Sequence, residues 1–179
     1  MSIRKIHHVA YRCKDARETV NWYRTHLGMN FVLAIAEDQV PSTHAPDPYM
    51  HVFLDAGGGN VLAFFEIPNS PPMGRDGNTP EWVQHLALEV ESVEELDAAR
   101  VRLQAAGIEV LGPTDHTLFK SIYFFDPNGH RVELAANTAT PEMFQRLDAV
   151  KEEMLEEWSR TRRAPKHAAW MHEREFAAA

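Results

Sequence analysis

Two imidazoles and one carboxylate, His8, His85 and Glu133, stand in three separate stretches that each read as a β-strand. Two histidines and one carboxylate make the protein part of an open metal site, one that leaves coordination positions free. Glu133 closes a dense run beginning at Thr114, which adds His116 and Tyr123. An imidazole that titrates near neutrality and a phenol are the groups that proton transfer beside a metal requires. Ten histidines in 179 residues make such chemistry worth pursuing.

Stepping from these residues to the elements that carry them, the chain reads as one pattern written twice. The first copy opens with a strand at His8–Cys13. A helix follows from Asp15 to about Leu27, with Asp at its N-cap, Glu18 three residues on and Gly28 closing it. Strands near 31–36, 49–55 and 61–67 complete that copy. The second copy opens at His85–Val90. Its helix starts at Ser92 with Glu95 three residues on and ends near Gly107, and strands near 109–111, 121–126 and 131–135 follow. Each copy is therefore β-α-β-β-β, and His8 and His85 hold the same place in their copies. The expected fold is α+β: two tandem βαβββ modules forming a curved mixed sheet around a metal site, plus a C-terminal amphipathic helix.

The expected boundaries are a domain over 1–137, with module 1 at about 3–67, a linker at 68–80 and module 2 at about 81–137, then a helical tail over 138–179. The linker holds four prolines and two glycines. In the tail, Met143, Leu147, Val150, Met154 and Trp158 recur at helical spacing, and Pro141 suits a first turn. That helix is expected to dock on the body of the domain, with a subunit interface as the competing use. The stretch from Arg160 on has weak periodicity and no structure is assigned to it. Gly57-Gly58-Gly59 reads as a hairpin turn, since no strand–helix context for a phosphate loop surrounds it.

Strand parity asks whether the ligands can meet. Val9, Tyr11 and Cys13 share one face, and His8, Ala10 and Arg12 the other. Leu86, Leu88 and Val90 oppose His85, Ala87 and Glu89. Val132 and Leu134 oppose Arg131, Glu133 and Ala135. Each ligand candidate thus lies on the polar or small face, away from the face that a helix would cover. His51 alternates with Phe53 and Asp55 and is a possible substrate contact. His7 and His130 have the opposite parity and read as structural or surface residues.

Composition narrows the classes. A net charge of −8 argues against a nucleic-acid partner. No apolar run is long enough for a membrane span, and the N-terminus lacks a signal-peptide apolar region. The single cysteine, Cys13, permits no intrachain disulfide. These features lead us to expect a cytoplasmic protein.

The repeat, with His8-Val9-Ala10, Trp22-Tyr23-Arg24, Leu27-Gly28 and Asp126-Pro127-Asn128-Gly129 before Glu133, resembles the vicinal-oxygen-chelate superfamily over about residues 3–137. That superfamily includes glyoxalase I, epimerases, fosfomycin-resistance thiol transferases, bleomycin-binding proteins and type I extradiol ring-cleavage dioxygenases. The run His116, Ile122-Tyr123, Asp126-Pro127, Gly129 and Glu133 is most similar to a small, single-domain extradiol dioxygenase. His116 and Tyr123 are the discriminating positions. Glyoxalase I draws a second carboxylate from its first module, and aligning the modules puts Ala63 there; Glu66 has the wrong parity to replace it. The resemblance implies metal ligands His8, His85 and Glu133, catalytic residues His116 and Tyr123, and Fe(II), with Mn(II) as the second choice. It implies ring cleavage of a catechol-like or hydroquinone-like diol by O2. A metal-dependent lyase, isomerase or thiol transferase is the alternative, and a metal-free binding module a third. A homodimer or higher homo-oligomer is expected.

Overall fold

The computed structural model describes residues 2–171. Its elements are β1 (Val9–Cys13), α1 (Ala16–Leu27), β2 (Asn30–Glu37), β3 (Tyr49–Asp55), β4 (Val61–Glu66), β5 (Leu86–Val90), α2 (Val93–Ala105), β6 (Leu111–Asp115), β7 (Phe119–Phe125), β8 (Arg131–Asn137) and α3 (Pro141–Thr161), with a 3₁₀ turn at Ala169–Met171. The two modules form two four-stranded mixed sheets, ordered β1-β4-β3-β2 and β5-β8-β7-β6. The first strand of each module pairs in parallel with the last, and the other pairs are antiparallel.

The helices start where the sequence places their caps. Asp15 accepts the Glu18 amide at 2.7 Å, and Ser92 accepts the Glu95 amide at 3.2 Å, which satisfies amides that would otherwise lack partners. Gly28 closes α1 with φ +66°, a left-handed conformation that a Cβ disfavours. Glu66 Oε2 accepts the Ala16 amide at 2.7 Å, at the electropositive end of α1. That contact fixes the direction parity assigned to Glu66, away from the concave face.

Each module buries one face under its helix. Cys13, Val52, Leu54, Leu62 and Phe64 pack with Val20 and Tyr23 of α1. Ile122, Phe124, Val132 and Leu134 pack with Leu96, Ala99 and Leu103 of α2. The cores are not independent: Trp22 and Leu27 of α1, and Leu88 of β5, touch both.

A polar joint binds the modules further. The buried Asp126 carboxylate accepts the Tyr23 hydroxyl at 3.2 Å, the Asn128 and His130 amides at 2.9 and 2.8 Å, and the Asn128 side-chain amide at 3.0 Å. Asn128 Oδ1 accepts the Lys14 amide at 2.8 Å, while His130 Nε2 lies 2.6 Å from the Arg12 carbonyl oxygen. Each bond to the charged carboxylate is worth about 1.5–3 kcal/mol. The Asp-Pro-Asn-Gly turn is therefore the clamp that sets the two sheets against one another, and His130 has the structural role that parity implies.

Three expectations are corrected. The strand expected at 109–111 runs instead from Leu111 to Asp115, and a bulge between Leu111 and Thr114 absorbs Gly112-Pro113. An edge strand tolerates proline in this way, so the Gly-Pro pair does not end it. The helix α3 is covered only along its apolar stripe, where Met143, Leu147, Val150 and Met154 are half-buried, and none of its residues is fully buried. The tail also regains structure after Arg160: His167 lies near Glu153 and Glu157, and Arg146 stacks on Trp170 at 4.1 Å. The end of the expected tail, 172–179, lies outside the described residues.

Candidate functional site

The register of the strands shows what each module contributes. Ala10 pairs with Ala63 in module 1, and Ala87 pairs with Glu133 at the equivalent place in module 2. Phe53 faces Ala63 where Tyr123 faces Glu133; His51 faces Phe65 where Ser121 faces Ala135. His8 and His85 each stand one residue before their strand. The alignment of Ala63 with Glu133 made from sequence is thus the structural alignment.

In module 2 these positions form a connected group. His85 Nε2 lies 2.9 Å from Glu133 Oε2. The other oxygen, Oε1, accepts the Ser121 hydroxyl, and the Tyr123 hydroxyl at 3.3 Å. The Tyr123 oxygen lies 2.8 Å from His116 Nε2. Burial, and then the negative Glu133, push the Tyr123 phenol up from its ordinary range, so it remains a protonated donor at neutral pH. With a proton on His116 Nε2, the order His116 to Tyr123 to Glu133 is a directional hydrogen-bond chain.

His116 sits in the β6–β7 turn, where a separate set of contacts holds it. Its amide donates to the Phe119 carbonyl at 2.9 Å, and its ring lies 4.9 Å from the Phe119 ring. The next residue, Thr117, has φ +69°, uncommon for a residue with a Cβ. Thr117 is fastened by the Asp115 carboxylate on its amide at 2.8 Å and by its own hydroxyl on the Met171 carbonyl at 2.5 Å. Strained backbone that is over-determined by its surroundings is characteristic of functional turns.

Module 1 is different in kind. The His51 ring stacks on Phe65 with centroids 3.5 Å apart and lies 4.1 Å from Phe53. The His8 ring is 6.2 Å from His51 and 6.0 Å from Phe53. Its Nδ1 shares a hydrogen bond with His7 Nδ1 at 2.8 Å. His51 is only 8% exposed, and its Nε2 is buried without a partner. Burial, and then His8, lower its pKa, so it is neutral at physiological pH.

The structure therefore brings His85, Glu133, Tyr123 and His116 together, and brings His8 and His51 together on the other wall. It does not bring His8 to the His85–Glu133 pair. Among the described residues no three His, Cys, Asp or Glu side chains stand close enough to hold a metal ion. The donor chemistry of the pair nevertheless fits one. Glu133 is 2% exposed, and its hydrogen-bonding partners are two hydroxyls and one imidazole, with no Lys or Arg in an ion pair. A buried carboxylate needs positive charge close by, and a divalent cation beside His85 would supply it.

Ser121 was passed over by the sequence reading. It is fully buried and bonded to Glu133. Its parity with Tyr123 on β7 was the available signal.

Comparisons with known proteins give the fold and family. A Bacillus subtilis (strain 168) protein named "Putative ring-cleaving dioxygenase MhqA" is 26% identical over 140 residues. The match takes in 76% of this chain but only 42% of that protein. A glyoxalase family protein from Enterococcus faecalis is 28% identical with TM-score 0.55, covering 75% of this chain and 99% of that one. A glyoxylase/bleomycin resistance protein/dioxygenase domain from Frankia sp. EAN1pec shares the fold with TM-score 0.59 at 20% identity, over 76% and 99% of the two chains. So does the fosfomycin resistance protein FosX from Listeria monocytogenes, in complex with Mn(II) and sulfate, with TM-score 0.55 at 21% identity over 79% and 97%. The family profile matches residues 5–134, most of the chain, and the protein belongs to the glyoxalase/bleomycin resistance protein/dioxygenase superfamily.

Proposed function

We propose that the protein is a metal-dependent extradiol-type dioxygenase acting on a catechol-like or hydroquinone-like diol. The observation that carries this reading is the Tyr123 hydroxyl, within 3.3 Å of the candidate ligand Glu133 and 2.8 Å of the candidate base His116. The relative named for ring cleavage supports it. So does Ala63, which removes the carboxylate that a second ligand set would need from module 1.

His85 and Glu133, with His8, would hold the ion, iron(II) by preference and manganese(II) as the second choice. When bound, it stabilises a deprotonated diol and brings diol and dioxygen to one centre. The rest falls to the side chains. His116 takes a proton from a diol hydroxyl and returns one as the ring opens, the two-way transfer an imidazole can perform. Tyr123 stays protonated and donates to oxygen that gains negative charge. Ser121 occupies Glu133 Oε1, leaving Oε2 toward His85. Phe53 and Phe65 offer a flat apolar wall for an aromatic ring, and His51 a polar contact within it.

We also propose a homo-oligomer. Phe144, Leu155 and Trp158 on α3, and Phe31, Leu33 and Ile35 on β2, are exposed. Sedimentation equilibrium tests this, and a monomer at all concentrations rejects it.

Anaerobic purification, metal assay and oxygen uptake with a panel of catechols and hydroquinones test the activity. Oxygen uptake with a new absorbing ring-opened product supports the reading. A metal-loaded protein that consumes no oxygen with any diol refutes it.

A further inference from the structure

The wall beside the candidate metal pair has a property that the proposed reaction does not use. A cleft of about 810 Å3 runs past His85 under the linker, and residues from both modules line it. The chain as a whole carries a net charge of −8, yet this cleft gathers Lys14, Arg75 and Arg131 with His85 and His130, against only Asp76 and Glu81. A concave site with a sign opposite to that of its protein concentrates ions of the protein's own sign.

Most of these cations are already engaged. Lys14 Nζ donates to the Pro127 carbonyl at 2.9 Å. Arg75 pairs with Glu81 at 3.0 Å, and Asp76 is taken up by Thr79 and the Asn78 amide. His130 is spent on the Arg12 carbonyl. Arg131 alone among the charged cations of the cleft makes no hydrogen bond or ion pair among the described residues. It does not swing free, because its guanidinium carbon lies 4.4 Å from the centre of the Tyr123 ring. Stacking on an aromatic face fixes the plane of the guanidinium and leaves its N–H edge available. Arg131 also shares strand parity with Glu133, two residues on, and so faces the same concave side.

We infer that the substrate carries an anionic substituent, a carboxylate on the aromatic diol, and that Arg131 receives it. The inference rests on the diol reading of the site and names its substrate class. A guanidinium fork matches a carboxylate in two parallel hydrogen bonds, which a neutral substituent cannot form. The same Tyr123 ring that carries the hydroxyl beside Glu133 carries the anchor on its face. Substrate placement and the proton chain would thereby share one rigid support.

The test compares 3,4-dihydroxybenzoate with its methyl ester and with catechol. Binding to the full-length protein is measured by calorimetric titration under nitrogen, and kcat/KM by oxygen uptake. The acid is expected to bind tighter than the ester by about tenfold or more. Arg131→Gln should bring that ratio close to one, and Arg131→Lys should restore part of it. Lys14→Gln, whose ammonium is already engaged, should keep the ratio. Equal binding of acid and ester, or an unchanged ratio in Arg131→Gln, overturns the inference. If the acid is preferred but no diol consumes oxygen, the dioxygenase reading fails and the anion subsite stands. If neutral diols are cleaved without preference for the acid, only the subsite fails.

Discussion

The two modules share a backbone and differ in what they place at matching positions. Where module 2 sets Glu133, Tyr123 and Ser121, module 1 sets Ala63, Phe53 and His51. The first set is a polar chain with every member bonded; the second is a packed aromatic wall with an alanine where a ligand could stand. Under the proposed function a duplicated βαβββ unit would divide labour across a pseudo-symmetric site: one half would hold charge and move protons, and the other would shape the space. The opening histidines, His8 and His85, remain equivalent, as a metal shared between halves would require.

Substitutions can break or sharpen that contrast. The largest effect is expected at His116. His116→Ala should lower kcat by about 10²–10⁴, while a change in the aromatic wall of module 1, Phe65→Leu, should act mainly on KM. Oxygen-uptake kinetics separate the two. A His116→Ala protein with full ring-cleavage activity would remove its acid–base role. Next comes Ser121→Ala, which removes one of the two hydroxyls on Glu133 Oε1 and should weaken metal affinity by about 10–100-fold. Competition with a chelator reads this, and unchanged affinity would show that the hydroxyl does not orient the carboxylate.

The smallest effect concerns stability. Cys13 of module 1 occupies the place of Val90 in module 2. Burial pushes its thiol up to about 11. The folded protein therefore keeps a proton that the unfolded chain releases, so stability is intact below about pH 9 and falls as pH rises toward 11. The loss is on the order of 2 kcal/mol. Urea midpoints between pH 8 and 11 check it, and Cys13→Ala should flatten that part of the curve. An equally steep curve in the variant would place the loss elsewhere, Tyr23 being the other buried group with a raised pKa.

Much of the fold was legible because its signals are local. Asp15, Ser92 and Gly28 mark helix ends, and alternation in β1, β5 and β8 marks which face is buried. The correspondence of Ala63 with Glu133 followed from counting in a repeat. The start and end of β6 did not, because a bulge at Gly112-Pro113 depends on its pairing with β7. That α3 would be covered only in part was not legible either, since an amphipathic stripe names no partner. In the site, residue types and parity picked His85, Glu133, Tyr123 and His116. The hydrogen bond from Ser121, the Tyr123 face beneath Arg131 and the turn of His8 toward His7 depend on rotamers that sequence spacing does not specify.

The division of labour is tested most directly at the one pair of sister positions whose side chains differ in a single kind of chemistry. Tyr123→Phe and Phe53→Leu should be compared by steady-state oxygen uptake with the same diol and equal metal loading. Tyr123→Phe is expected to lower kcat with little change in KM, and Phe53→Leu to raise KM with little change in kcat. The opposite pattern, or equal effects of both substitutions on kcat, would contradict the assignment of chemistry to one module and substrate placement to the other.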